Sequence, residues 1–458
     1  MLIAPFALLF ALSELPAPAA AVTPATAPAT ATASAPAPAP SAAPAPAAQG
    51  GGRAKEKGVR FVWREHPSLR AGDWLRLDFG AKIQGDTLNP GDAPDNFDDL
   101  QLTRARIGVD GELFKVLQFS IEREMTDAGD LKVNAKAQKN AWRDVYGEVK
   151  FADALQVRGG RFKVPFSLDQ LTGVSNNDFV YRSLGGSYLA PARDTGGMVR
   201  GRMFDRAFTY AVGYFEHDGD NARSNKVAGG DRTIAARVTA TPLAAITLLN
   251  LDKAELGANY ATTEVTDDSE LPNGLRGRTV MSEYTFFEPV FVRGNRNRYG
   301  VDLDWTDHQF GARAEYMAVT DARDAQGLRG NNLNAVRARA WYVQGTWVLT
   351  GDKKERPVEP KHPLLMGGVG AIEVAARFER MWFDSKETGE PAFSNSRAEV
   401  VLPNGDKAFT VGVNWYLNRW MKLQMNAIHE ELQDNGRTPL LDGGTKFWST
   451  VFRAQIAL

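Results

Sequence analysis

Beyond the Arg161 that opens it, the single stretch Arg161–Asp194 holds three cations: Lys163, Arg182 and Arg193. Four more stand two residues apart, Arg104 and Arg106 in T-R-A-R, Arg200 and Arg202 in R-G-R. A guanidinium offers a planar fork of N–H donors that matches the oxygens of a carboxylate or phosphate, and an ammonium adds a compact point charge. Residues two apart on a strand point to the same side, so each pair would present both forks to one space. That chemistry is the reversible holding of oxyanions, without bond making. Signatures for other chemistry fail. There is no G-x-S-x-G, H-E-x-x-H or Walker loop, and Gly368-Val-Gly370 lacks its third glycine and runs into a strand pattern. The histidines (His66, His217, His308, His362, His429) are scattered, and Asp218-Gly-Asp220 lacks the third oxygen position of a calcium loop. No enzyme activity, metal or cofactor is expected.

The stretch carrying Lys163, Arg182 and Arg193 lies between two alternating segments, Leu155–Lys163 and Gly196–Met203. It far exceeds a hairpin loop of about 2–5 residues, and a loop that long is either functional or disordered. Phe166, Phe179, Tyr181 and Tyr188 argue for packing, and a closed wall around the loop is the expected setting.

From Asp73 onward one pattern recurs. Leu75, Leu77, Phe79, Ala81 and Ile83 alternate with Arg76, Asp78, Lys82 and Gln84; Ala105, Ile107 and Val109 alternate with Arg104, Arg106 and Asp110. The same holds for Ala312, Ala314 and Tyr316 against Arg313 and Glu315, and for Val374, Ala376 and Phe378 against Glu373, Arg377 and Glu379. Period-two alternation marks a strand with one apolar and one polar face. In Val336–Leu349 the phase slips after Trp341, which reads as a bulge, with Arg337 and Arg339 on the polar face. Either a soluble sandwich buries the apolar faces or a membrane barrel turns them toward lipid. Strands near ten residues, aromatic ends such as Trp74, Trp142, Trp347 and Trp448, and mid-strand Arg and Glu favour the barrel. Short connections such as Phe114–Val116 alternate with long ones, among them Pro165–Asp194 and Gly351–Gly368. The expected fold is all-β: a transmembrane antiparallel barrel of sixteen or eighteen strands with an infolded constriction loop. Val59–Trp63, Ala254–Thr263 and Arg278–Phe287 are the doubtful strands.

Composition sets bounds on partners. The chain of 458 residues has a formal net charge of -1, so no polyanion such as nucleic acid is an expected partner. The absence of cysteine suits an oxidising compartment. Residues 1–21 read as a signal peptide, although no Lys or Arg precedes Arg53. Residues 22–71 form an Ala/Pro-rich spacer and charged transition, and 72–458 the barrel domain.

Seven blocks carry a resemblance: Thr103–Gly111, Gly159–Leu171, Tyr188–Gly197, Tyr210–Phe215, Trp341–Gly351, Thr410–Asn418 and Phe452–Ile456. In that order and spacing the chain, from about Gly58 to Leu458, resembles the phosphate- and polyphosphate-selective porin O/P family of outer-membrane channels. The resemblance implies a sixteen-stranded homotrimer in Gram-negative outer-membrane lipid, with an infolded third long loop and a basic lining. It implies passive diffusion of small hydrophilic solutes, with a preference for anions such as phosphate. Lys163, Arg182, Arg193, Arg104, Arg106, Arg200 and Arg202 are the candidate solute-binding residues. The chain departs from the family where a double Arg opens the second strand, having Thr103-Arg104, and where barrels end in an aromatic, having Leu458. A general porin without phosphate selectivity and a plugged, surface-binding barrel remain as alternatives.

Overall fold

The computed structural model describes residues 58–63, 65–89, 100–126, 142–220, 231–243, 246, 248–266, 272–282, 284–386, 395–434 and 444–458. The expected signal peptide and most of the spacer lie outside them. A hairpin of β1 (Val59–Trp63) and β2 (Pro67–Ala71) precedes β3 (Leu75–Asn89), β4 (Gln101–Leu113), β5 (Leu117–Glu124) and β6 (Trp142–Ala152). Then follow β7 (Leu155–Lys163), β8 (Arg193–Met203), β9 (Phe208–Phe215), β10 (Arg232–Ala240) and β11 (Glu255–Val265). A two-stranded hairpin, β12 (Gly277–Arg278) and β13 (Thr285–Phe287), sits in the next loop. The wall resumes with β14 (Gly294–Asp307), β15 (Phe310–Arg323), β16 (Leu333–Val348) and β17 (Ala371–Ser385). It ends with β18 (Asn404–Tyr416), β19 (Met421–Leu432) and β20 (Lys446–Ala457).

Each wall strand pairs antiparallel with the next, and β20 returns to β3 from Ala457 opposite Lys82 to Thr450 opposite Asn89. The ring closes at sixteen strands. Closure removes every open edge from the wall, the condition for strands to sit in lipid. Where β20 ends, β2 takes its place beside β3, pairing Ser68 with Asp78. The doubtful segment Ala254–Thr263 is therefore a wall strand, β11. Val59–Trp63 is a hairpin strand outside the ring, and Arg278–Phe287 is the loop hairpin.

Exposure decides which face points where. Arg106 is 3% exposed and its neighbour Ile107 56%; Arg298 is 0% and Tyr299 53%. Charged side chains point into the ring and apolar ones out, the reverse of a soluble sandwich and the order a lipid-facing wall requires. Trp74, Trp142, Trp347 and Trp448 are exposed near strand ends, as an interfacial girdle would be.

Two expectations are corrected. β16 pairs with both neighbours from Val336 to Val348 without a register shift, so no bulge follows Trp341. Its inward face is Ala338, Ala340, Tyr342 and Gln344, while Arg337 and Arg339 lie on the opposite face and pair with Asp384. The pattern breaks because Ala338 and Ala340 belong to the buried apolar cluster that also holds Leu184 and Leu189 of the long loop. Segment 349–370, expected among the long connections that alternate with short turns, is at the same end as the tight turns Phe114–Val116 and Asn418–Arg419.

Candidate functional site

The long stretch leaves the wall after Lys163 and carries two short helices, α1 (Leu168–Leu171) and α2 (Leu184–Tyr188). It rejoins the wall at Arg193. Phe166, Phe179, Leu184 and Leu189 are buried, so the loop folds into the ring. Short helices start with unpaired N–H groups, and these need acceptors away from water. Ser167 Oγ accepts from the Gln170 amide (3.2 Å), and Ser183 Oγ from that of Gly186 (3.1 Å). Wall carboxylates supply the rest. Glu315 accepts from the amides of Leu168 and Asp169 (2.9 and 3.2 Å), and Glu379 from that of Leu184 (2.6 Å).

The middle of the loop is gripped in the same way. Asn426 accepts from the Val180 amide (2.8 Å), while Arg453 donates to the Val180 carbonyl (3.0 Å). Lys422 donates to the carbonyls of Ser175 and Asn177 (3.1 and 3.0 Å), and Arg377 to those of Tyr181 and Arg182 (3.1 and 3.3 Å). The second hairpin packs from above, where Tyr188 Oη donates to the Thr279 carbonyl (2.8 Å). One half of the lumen, against β14–β20, is thus filled. Gly185 marks how tightly: a Cβ there would stand 2.9 Å from Ala340 Cβ and 3.0 Å from Met317 Cε. Gly185→Val is expected to cost about 1–3 kcal/mol of overpacking, read as a lower temperature for loss of heat-modifiable mobility on gels.

The other side is basic. Arg193 makes a two-pronged pair with Asp144 (3.1 and 2.7 Å) and stands 4.0 Å from Glu122. Arg106 donates to Glu124 (2.6 Å) and lies 3.5 Å from Glu122, which Lys82 also reaches (2.5 Å). Arg104 donates to Gln84. Buried Arg143 has Arg193, Asp220, Glu124 and Arg161 as electrostatic neighbours, and Arg104 and Arg106 neighbour one another. On the loop side, Lys163 and Arg182 both neighbour Arg193. Among the described residues, cations in this cluster outnumber its carboxylates Glu122, Glu124, Asp144, Asp169 and Asp220. Toward the turn end, a cavity of about 390 Å³ opens beside Asp78, Asp110, Glu112, Gln118 and Tyr146.

Five of the seven candidate residues therefore converge: Arg104, Arg106, Lys163, Arg182 and Arg193. Two of these serve the loop itself. Lys163 Nζ donates to the carbonyls of Gln170, Leu171 and Thr172 (2.7, 3.1 and 3.0 Å), which uses its three N–H bonds. Arg182 donates to the carbonyls of Asp169 and Thr172. Arg200 lies apart, in a two-pronged pair with Glu148 (2.9 and 2.6 Å) shared with Arg158, whose guanidinium sits 3.8 Å over the Tyr146 ring. Arg202 is exposed, and its amide bonds Asp153 in the tight turn (2.8 Å). Arg143 was not legible, because it has the phase of outward Val145; the register shift between β5 and β6 turns it. Asp218 and Asp220 hold no divalent-ion arrangement: Asp218 accepts from Arg296 and Arg298 (2.6 Å each), and Asp220 from Arg161 (2.6 Å).

The family model for the phosphate-selective porins O and P matches residues 77–456. The chain belongs to that family. This porin is 24% identical over 195 residues to Porin O of Pseudomonas aeruginosa, across 37% of this chain; the match spans 41% of that relative's length. Its fold is similar to that of OmpT of Vibrio cholerae in trimer form (TM-score 0.52, 12% identity, 84% of this chain and 100% of the other). It is similar also to Salmonella typhi OmpF (TM-score 0.50, 12% identity, 84% and 98%). The porin is a protein of the Gram-negative outer membrane.

Proposed function

We propose that this porin lets small hydrophilic solutes diffuse passively across the outer membrane, with a preference for anions that extends to phosphate. The observation that carries this reading is the convergence of Arg104, Arg106, Arg143 and Arg193 with Lys163 and Arg182, where cations outnumber carboxylates among the described residues. A pore of this kind must attract its ion yet release it, and guanidiniums beside carboxylates such as Glu124 and Asp144, which compete with the ion for the N–H donors, do both. A homotrimer seated in outer-membrane lipid, made with residues 1–21 as signal peptide, completes the proposal; the apolar outer face supports the lipid contact.

A second reading, a porin without phosphate selectivity, is favoured by one feature: Arg193–Asp144 and Arg200–Glu148 are already two-pronged pairs. Competition separates the two. Phosphate added to a bilayer carrying chloride current should lower that current in a saturable way; loss in simple proportion to mole fraction favours the second reading. A plugged barrel would carry no current.

A further inference from the structure

Connections at the turn end are tight except 241–254 and 349–370. The second enters the ring. Val358 is buried with Val348, Ala371 and Tyr416, the Lys354 amide bonds the His308 carbonyl (2.6 Å), and Arg356 pairs with Asp304 (3.0 Å). The segment thereby carries the Lys354 ammonium, 1% exposed, between Glu373 of the wall and Asp178 of the infolded loop (Nζ to Oδ1, 2.6 Å). The second oxygen of Asp178 accepts from Gln344 (2.9 Å), and its carbonyl from Asn414 (2.9 Å). Loops entering from opposite ends of the barrel meet at one buried ion pair.

We propose that Lys354 is the positioning residue of the constriction: by holding Asp178 against the β16–β18 wall, it keeps the infolded loop out of the basic passage along β3–β8. The inference rests on the porin reading above. The ion pair suits the task because a buried pair with its hydrogen bonds satisfied has one good geometry, and removal of one partner leaves the other charge uncompensated. Burial alone would push the Asp178 carboxyl up, but Lys354, Arg356 and Arg313 hold it well below the usual carboxylate range. Remaining bonds from Asn426, Lys422 and Arg453 keep the loop inside the ring when the pin is lost, and Asp178, left with neutral donors such as Gln344 and Asn414, can lean into the passage.

The whole protein in planar bilayers tests this. In Lys354→Met, open-channel current noise should rise about threefold and mean conductance fall by roughly a third, while Lys354→Arg keeps wild-type values. If Lys354→Met gives no heat-modifiable barrel, Lys354→Gln, which retains two N–H donors, decides with the same expected changes. Wild-type noise and conductance in a folded Met or Gln variant would overturn the proposal. So would an Arg variant as noisy as the Met one. A wild-type protein that carries no current would instead sink the porin reading itself.

Discussion

Deleting Gly173–Gly186 should raise single-channel conductance about twofold or more, because it empties the half of the lumen that the infolded loop occupies. The cut is structurally reasonable. Gln170 Nε2 bonds the Gly186 carbonyl (2.9 Å), so the two ends of the cut lie within about a side chain's reach of one another. Much of what the deletion exposes is polar: Asn426, Lys422, Arg453 and Glu379 lose loop backbone partners and gain water, while Met317, Ala338 and Ala340 lose apolar cover. The loss is paid in the apolar contacts of Phe179, Val180 and Leu184, while the wall's own ladder is untouched. The variant should still run as a heat-modifiable barrel. Conductance equal to wild type would mean that the loop does not border the ion path.

The second large effect is on ion preference. Replacing Arg106 and Arg143 together by Gln removes two cations from the cluster and leaves Glu122, Glu124 and Asp144 in place. At about 7 Å in a water-like dielectric a unit charge is worth ~0.6 kcal/mol, so losing the pair disfavours chloride and favours potassium by ~1.2 kcal/mol each and should shift the chloride-to-potassium permeability ratio by roughly fiftyfold toward potassium before screening. Salt screens the effect, and it should shrink as ionic strength rises. Arg202→Gln is the control: the side chain is exposed near the tight turn before β7, outside the cluster, and its loss should leave the ratio nearly unchanged. Equal shifts from both variants would argue against a localised selectivity site.

The wall was legible because its rule is local. A residue's phase in Ile372–Glu379 states which side it faces, and burial there follows it; in Asp73–Gln84 it does so at Phe79, Ile83 and Gln84, while Arg76 near the turn end is exposed. The rule fails where the lumen is not wet. Ala338 and Ala340 face inward against buried Leu184 and Leu189, so apolar residues take the phase reserved for charge, and Arg337 and Arg339 face the other way. It fails again at Arg143, where a register shift rather than alternation sets direction. Partners across the ring have no sequence signal at all. Nothing near Glu315 or Glu379 says that each accepts from helix-start amides 147 and 195 residues away, or that Lys354 from the turn end reaches Asp178. Type and spacing point to seven cations. Which of them converge was settled by the loop's path: Arg104, Arg106 and Arg193 line the wall, Lys163 and Arg182 fix the loop, and Arg200 and Arg202 stand elsewhere.

The infolded loop and the basic wall matter only if together they favour anions. The reversal potential of the wild-type protein in a KCl gradient measures that directly. The sign of an anion-preferring pore is expected, with a magnitude that falls as ionic strength rises; a cation-preferring potential would contradict the assignment of the Arg104–Arg106–Arg143–Arg193 cluster as the selectivity site.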